Sequence, residues 1–152
     1  MAGVMLHLAL FQPEIAANVG AAIRAAACFG AELHVIEPCG FPWKTRDIER
    51  VSLDYGALAP PHRHADWRAF REGVPGRIIL MTTKAETAYH EHDWQRGDIL
   101  LLGQESAGVP EDIHNEADIR LRIPLAPGAR SLNMAMAGAI GMAEARRQIG
   151  WG

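Results

Sequence analysis

The sequence predicts an α/β fold with a mostly parallel sheet and helices on both faces. Short apolar runs rich in leucine and isoleucine alternate along the 152 residues with stretches of helical periodicity. Such runs are typical of parallel strands buried on both sides, and the alternation is typical of βαβ units. No repeat, low-complexity segment or long linker interrupts the pattern, so we expect a single domain over residues 1–152.

Each apolar run predicts a strand, and the segments between the runs predict helices. The strands are Leu6–Phe11, Leu33–Ile36, Arg77–Thr82, Ile99–Gly103 and Ile119–Ile123. In the first interval Asn18 is predicted to cap a helix over Val19–Phe29, which Gly30 ends. The later helices are Ala65–Glu72, Pro110–Asn115 and Ser131–Ile149.

The last predicted helix is built largely from alanine, glycine and methionine. Gly138 and Gly141 should each destabilise it by about 1 kcal/mol relative to alanine. The small residues Ala135, Ala139 and Ala143 recur at helical spacing, which favours close approach of another backbone from the same chain or from a second subunit.

Composition favours a soluble globular protein, since 49% of the residues are hydrophobic and 22% are charged. The uncharged stretch Ser131–Ala143 is shorter than the roughly 20 residues of a membrane span. Residues 1–14 show no basic segment or cleavage site of an export signal, and Cys28 and Cys39 form no CxxC motif. We therefore expect a cytoplasmic protein without a disulfide framework. The net charge of −3 argues against a uniformly basic surface but permits a local basic stripe for nucleic acid.

Several well-known sites are excluded by spacing. Gly103, Ser106 and Gly108 read G-x-x-S-x-G, which has one residue too many for a nucleophile elbow. The sequence has no G-x-G-x-x-G after a strand and no P-loop motif, so dinucleotide and nucleoside-triphosphate sites lack support. Two histidine pairs, His62 with His64 and His90 with His92, lie in predicted polar loops. We interpret them as solvated surface residues and predict no metal site.

Ligands of parallel α/β sheets bind at the carboxyl ends of the strands. The loops expected there are Gln12–Asn18, Thr83–Glu86, Gly103–Pro110 and Pro124–Arg130. Arg24 follows the first of them and is the one charged residue in Ile15–Ala31, with small neighbours on the helical wheel: Gly20, Ala21, Ala27 and Cys28. At this point two interpretations of Arg24 stand equally, an ordinary solvent-facing arginine and a guanidinium directed at a ligand.

Five segments together resemble the SPOUT methyltransferases in order and spacing, from about Met5 to Gly150. They read PEIAANVGAAIRAAACFGAELHVIEPCGF, LDYG, TTK, LGQESAGVP, and RIPLAPGARSLNMAMAGAI followed by EARRQ. The resemblance is closest to the small, single-domain tRNA 2′-O-methyltransferases that modify the wobble nucleotide of the anticodon. It implies an α/β domain with a C-terminal trefoil knot, a homodimer, S-adenosylmethionine as cofactor, and the tRNA anticodon stem-loop as partner.

The resemblance also implies roles for individual residues. Its cofactor contacts correspond to Met81, Thr82, Gly103, Glu105, Gly108, Ile123, Leu125, Ser131, Leu132 and Asn133. Arg24 and Asn18 match its catalytic positions. Because an arginine stays protonated in proteins, we expect Arg24 to hold a tRNA phosphate and align the hydroxyl, with the proton taken by the phosphate or by an unidentified group. Ser131 is expected to cap the last helix, whose dipole would favour an anionic group.

The sequence departs from the family pattern at several positions. Leu102, Gln104, Ser106 and Ala107 differ in the second motif, Ala135 and Met136 replace a polar pair in the third, and Ala143 stands where a tyrosine is common. Three functions therefore remain open. The first is wobble 2′-O-methylation of a cytidine or modified uridine. The second is methylation of another RNA, or cofactor and RNA binding with little catalysis, and the third is a small-molecule α/β enzyme.

Overall fold

In the computed structural model, which describes residues 6–151, six parallel strands form one sheet. They are β1 (Leu6–Phe11), β2 (Glu32–Ile36), β3 (His62–His64), β4 (Ile78–Met81), β5 (Asp98–Leu102) and β6 (Ile119–Leu121). Their order across the sheet is β3-β2-β1-β5-β4-β6, and every neighbouring pair is parallel. The predicted α/β class is confirmed. Residues 1–5, part of the segment in which we saw no export signal, lie outside the described residues.

The described chain has five α-helices, four of them between strands and the fifth after β6. They are α1 (Ala16–Phe29), α2 (Thr45–Ser52), α3 (Trp67–Gly73), α4 (Glu111–Glu116) and α5 (Met134–Ile149), and short 3-10 helices lie at Leu53–Ala57 and Tyr89–Glu91. The sequence did not predict α2, because only Ile48 and Ser52 of its eight residues are buried. No helix within residues 6–151 is long and apolar enough to cross a membrane.

The core lies in two layers on opposite faces of the sheet. On one face, α1 and α5 pack against residues such as Leu8 and Leu100. On the other face, α3 and α4 contribute Phe70 and Ile113, which pack with Ala9 and its neighbours. Successive strand residues point to opposite faces, so β1, β2, β4 and β5 each supply both layers. The predicted placement of helices on both faces is therefore correct.

The two long helices begin elsewhere than predicted. Ile15 is the N-cap of α1 and its own side chain makes no capping bond, whereas Asn18 lies inside the helix and is buried. Gly30 ends α1 with φ of 65°, as predicted. The N-cap of α5 is Asn133 and not Ser131, because the Asn133 Oδ1 accepts from the amides of Ala135 at 2.9 Å and Met136 at 3.2 Å.

Glycines let α5 lie directly on the sheet. A Cβ at Gly138 would be 2.9 Å from Leu102 Cδ1, and a Cβ at Gly141 would be 2.6 Å from Leu100 Cδ2. Both distances are shorter than real carbon–carbon contacts, so any larger residue would force the helix or the buried leucines to move. Within the chain the closest approach is at the glycines, while Ala135 is buried and Ala143 is exposed to solvent.

Our interpretation of the histidine pairs as solvated loop residues is only half correct. His62 and His90 are exposed, but His64 belongs to the edge strand β3 and is half-buried. His92 is buried at 8% exposure, with its Nε2 3.4 Å from the carboxylate of Asp98. Tertiary packing against charged and aromatic neighbours, which spacing does not reveal, buries these polar rings.

The packing of α1 against α2 gives a first testable prediction. A Cβ at Gly20 would lie 2.5 Å from the backbone oxygen of Val51, so Gly20→Ala must displace α2. We expect it to lower the free energy of unfolding by about 1–3 kcal/mol despite the better helix propensity of alanine. The control is Gly73→Ala at the end of α3, where nothing lies within 4 Å of the added atom. Urea unfolding that ranks Gly20→Ala as equal to or more stable than Gly73→Ala would contradict this packing.

Candidate functional site

A cavity of about 380 Å³ opens at the carboxyl ends of β4 and β5, where the sequence predicts ligand binding. Three loops and the start of α5 form its walls. Nine of the residues expected to contact a cofactor line it: Met81, Thr82, Gly103, Glu105, Gly108, Ile123, Leu125, Ser131 and Leu132. The tenth, Asn133, is not among the lining residues but caps the helix beside them.

Several other residues that line the cavity were not predicted from the sequence to contact a ligand. They include Gln104, His114, Met134 and Ala137. His114 belongs to α4, and which side of a six-residue helix faces a cavity depends on how the helix packs. Met134 and Ala137 lie at the start of α5, which the sequence placed three residues too early.

The loop after β5 is a tight turn closed by its own backbone. Gln104 and Gly108 exchange amide–carbonyl hydrogen bonds of 2.8 and 3.0 Å. A Cβ at Gly103 would lie 2.6 Å from the Cα of Gly108, and Gly108 itself has φ of 65°. Glycine is therefore required at both positions, at Gly103 for space and at Gly108 for backbone conformation. The result is a cavity wall that presents backbone amides and carbonyls.

The carboxylate of Glu105 binds the start of α1. It accepts hydrogen bonds from the amide of Glu14 at 3.0 and 3.2 Å and from the amide of Ile15 at 2.9 Å. These amides precede the first turn of a helix that lacks a side-chain cap of its own. An anion at a helix N-terminus is favoured both by the free N–H groups and by the helix dipole. Glu105 thus serves as a cap supplied from about ninety residues away.

Asn18 connects this carboxylate to the third loop. Its Nδ2 donates to Glu105 at 3.1 Å, and its Oδ1 accepts from Asn133 Nδ2 at 2.9 Å. Because Asn133 also caps α5, the chain Glu105–Asn18–Asn133 joins the starts of both long helices to the loop after β5. Asn18, which we predicted to be a helix cap, is thus buried and links the loop after β5 to the start of α5.

A second set of contacts ties the loop after β1 to the loop after β5. The carboxylate of Glu14 accepts from the amide of Ser106 at 2.9 Å and from its hydroxyl at 2.7 Å. These donors hold the pKa of Glu14 below its ordinary value. Gln104 Nε2 donates to the carbonyl of Gln12 at 3.3 Å. Ser106 and Gln104 depart from the family pattern, and here their hydrogen bonds hold the loop after β5 against the loop after β1.

Arg24 stands apart from this network. It is exposed on α1, and its guanidinium carbon lies 4.9 Å from the ring centroid of Tyr55 in the neighbouring 3-10 helix. It is not among the cavity-lining residues of the described chain. The structure therefore brings Asn18 together with the loops of the cavity but leaves Arg24 at the surface, held by an aromatic ring.

The lining of the cavity is partly apolar and partly polar. Ile123, Leu125 and Leu132 are apolar lining residues, and the loop from Gly103 to Gly108 forms another part of the wall. Thr82 and Ser131 add hydroxyls at its edge. A mixed lining of this kind fits a ligand with an aromatic base at one end and polar groups at the other.

Comparisons with known proteins agree on one family. The model of the SpoU rRNA methylase family matches residues 5–143. A relative from Ancylobacter novellus, named tRNA (cytidine(34)-2′-O)-methyltransferase, is 47% identical over 148 residues, which cover 95% of this chain and 94% of the relative.

Two solved structures share the fold. One, described as giving structural insights into the 2-OH methylation of C/U34 on tRNA, is 37% identical with a TM-score of 0.90, covering 99% of this chain and 94% of that one. The other is an AdoMet-bound rRNA methyltransferase from Sinorhizobium meliloti, 27% identical with a TM-score of 0.85. That match covers 98% of this chain and 58% of the other.

The double role of Asn133 gives a testable prediction. Asn133→Ala removes both the cap of α5 and the hydrogen bond to Asn18, so it should lower the free energy of unfolding by more than the roughly 1 kcal/mol of a cap alone. Asn133→Ser restores a capping hydroxyl but cannot reach Asn18, and it should regain about 1 kcal/mol. Denaturant unfolding of both variants separates the contribution of the helix cap from that of the hydrogen bond to Asn18. Equal stability of the serine and alanine variants would show that Asn133 does not cap α5.

Proposed function

Because the chain belongs to the SpoU rRNA methylase family, we propose that it methylates the ribose 2′-OH of nucleotide 34, the wobble position of a tRNA anticodon, using S-adenosylmethionine. The observation that carries the proposal is the similarity, over nearly the whole chain, to relatives named for this reaction. The substrate nucleotide is a cytidine or a modified uridine, and the reaction takes place in the cytoplasm.

The cavity at the ends of β4 and β5 is the proposed cofactor site. Ile123, Leu125 and Leu132 would enclose the adenine, while the loop from Gly103 to Gly108 would bind polar groups through its backbone. When bound, S-adenosylmethionine supplies a methyl group on a sulfonium sulfur, whose thioether leaves without further activation. The protein's own contribution is to exclude water and to hold the donor and the hydroxyl in line.

The carboxylates nearest the cavity already accept hydrogen bonds from other residues of the chain. Glu105 accepts N–H groups from Glu14, Ile15 and Asn18, and Glu14 accepts from Ser106. Burial raises the pKa of the neighbouring Cys39 thiol to about 11, so it stays protonated near neutral pH. We propose that the proton of the 2′-OH passes to a phosphate of the substrate, which Arg24 holds in position, or to a group not yet identified.

The position of Arg24 suits a role on the RNA side of the site. Its side chain is exposed and kept in place by Tyr55, so the planar guanidinium is free to form paired hydrogen bonds with phosphate oxygens. Lys84, Arg122 and Arg130 are also exposed, on the loops that form or flank the cavity. Together they provide a local basic region on a chain whose net charge is −3.

We also propose that the protein acts as a homodimer through α1 and α5. Both helices expose apolar or small side chains, among them Ala17, Ala21 and Ala143, and Met136 is 58% exposed. A second copy would cover this surface and extend the area available for tRNA. Ala143 lacks the ring and hydroxyl of the tyrosine that is common in the family. The proposed interface would therefore depend on close packing of small side chains.

The trefoil knot is part of the same proposal. After β6, Arg122 exchanges backbone hydrogen bonds with the segment between β4 and β5, with its amide 2.9 Å from the Thr87 carbonyl and its carbonyl 2.8 Å from the Tyr89 amide. The chain then returns across the ends of the strands to α5. These contacts support a C-terminal segment that passes beside the connection from β4 to β5, as a knot requires.

The function is tested by methyl transfer to tRNA. Purified protein, labelled S-adenosylmethionine and unmodified total tRNA should give label in the 2′-O-methylated nucleoside at position 34. Label at another position would identify a different RNA methyltransferase. Calorimetric binding of the cofactor without any transfer would identify a binding protein and contradict the proposal.

Gly103→Ala should weaken cofactor binding, because the added Cβ would collide with the backbone of Gly108 and distort the cavity wall. We expect S-adenosylmethionine affinity to fall at least about tenfold, or 1.4 kcal/mol. Isothermal calorimetry measures the loss, and Gly73→Ala serves as the control for an added methyl group. Unchanged affinity of the Gly103 variant would mean that the cofactor binds elsewhere.

Arg24→Ala should abolish transfer and leave cofactor affinity within about tenfold, because Arg24 does not line the cavity. Arg24→Lys keeps the charge but loses the planar fork, so we expect it to retain only part of the activity. Single-turnover assays measure methyl transfer, and calorimetry on the same preparations measures cofactor affinity. A collapse of cofactor binding in Arg24→Ala would place this residue on the cofactor side.

A further inference from the structure

The opposite edge of the sheet carries a cluster of histidines that the proposed reaction does not use. His7 near the start of β1 and Glu32 at the start of β2 are paired in the parallel register, and His34 follows on β2. They line a depression of about 540 Å³, together with His62 and His64 of β3. The depression lies at the amino ends of the strands, whereas the proposed cofactor cavity lies at their carboxyl ends.

Three ligand atoms of this cluster lie around a common centre. His7 Nδ1 is 2.9 Å from His34 Nε2, and Glu32 Oε2 is 3.7 Å from the first and 4.0 Å from the second. The nearest point equidistant from the three atoms lies in their plane, about 2.1 Å from each, within the range of about 2.0–2.2 Å for zinc bonded to imidazole nitrogen or carboxylate oxygen. A four-coordinate ion lies out of this plane, so the His7 and His34 rings must move slightly apart when it binds.

The ring of His34 is held in one orientation. It is only 4% exposed, and its second ring nitrogen, Nδ1, lies 2.9 Å from His64 Nε2. Phe70 packs against it edge to face, with ring centroids 5.6 Å apart. Histidines that bind metals usually donate their other N–H to a fixed acceptor, which directs the free lone pair at the ion. A donation from His34 Nδ1 to His64 leaves the Nε2 lone pair facing His7 Nδ1, and zinc would replace the proton that these two nitrogens share.

We propose that His7, His34 and Glu32 bind a divalent zinc ion. Two imidazoles and one carboxylate form a known zinc ligand set, and borderline metals prefer it to calcium or magnesium. A fourth ligand comes from water in the open depression or from His62, whose ring centroid is 5.4 Å from that of His34. The ion connects β1 to β2 and stabilises the fold far from the methyl-transfer site.

The test is a zinc titration of chelator-treated protein followed by calorimetry. We expect saturation at one equivalent per chain and an increase in Tm with zinc concentration. Cobalt(II) substitution should give the visible absorption of a four-coordinate site. Glu32→Gln changes a half-exposed ligand, so it should fold and weaken zinc binding by more than about tenfold. His64→Gln removes the partner of His34 and should cost about 10–100-fold.

His90→Gln is the matched control, because His90 is exposed and lies outside the cluster. It should leave the zinc affinity unchanged. The proposal is overturned if the protein shows no saturable binding at one equivalent. It is also overturned if Glu32→Gln binds zinc as tightly as the unsubstituted protein, or if His90→Gln weakens binding to the same extent. None of these outcomes depends on methyl transfer, so the test is independent of the proposed function.

Discussion

The binding of the Glu105 carboxylate to the amides of Glu14 and Ile15, immediately before α1, is the interaction on which the site depends. Helix α1 begins at a residue whose side chain cannot cap it, and the missing acceptor comes from the loop after β5. The same carboxylate accepts from Asn18, which in turn contacts Asn133 at the start of α5. Asn18 is buried, so loss of either of its partners would leave part of its amide unsatisfied, at a cost of about 1–3 kcal/mol. The three segments are therefore held as one unit.

Close packing makes this arrangement possible. Gly138 and Gly141 allow α5 to lie against Leu100 and Leu102, the strand that leads into the loop at Gly103. That loop in turn needs the absence of a side chain at Gly103. The glycines reduce helix propensity, but they bring the capped start of α5 to the edge of the cavity. The close packing at the site therefore lowers the intrinsic stability of α5.

The fold class follows from the alternation of apolar runs and helical segments, and four of the six strands could be located to within a residue at either end. The strand β3 could not, because His62, Arg63 and His64 carry no apolar alternation and the strand lies at the sheet edge. Asn18 misled us because an asparagine before an apolar run has the pattern of a cap, while its real partners are distant in sequence. The predicted strand ends located the loops around the cavity, and the resemblance to a family located the individual residues in them. The resemblance carried no information about the histidines at the other edge.

A double-mutant cycle on Asn18 and Asn133 tests the central claim most directly. The claim is that one hydrogen-bonded chain assembles the cavity, so the two alanine substitutions should be non-additive in their effect on S-adenosylmethionine affinity. Calorimetry on the two single variants and the double variant gives the coupling free energy, which we expect to exceed about 0.5 kcal/mol. Additive losses would contradict the account, because they would mean that the two residues act on the cavity independently.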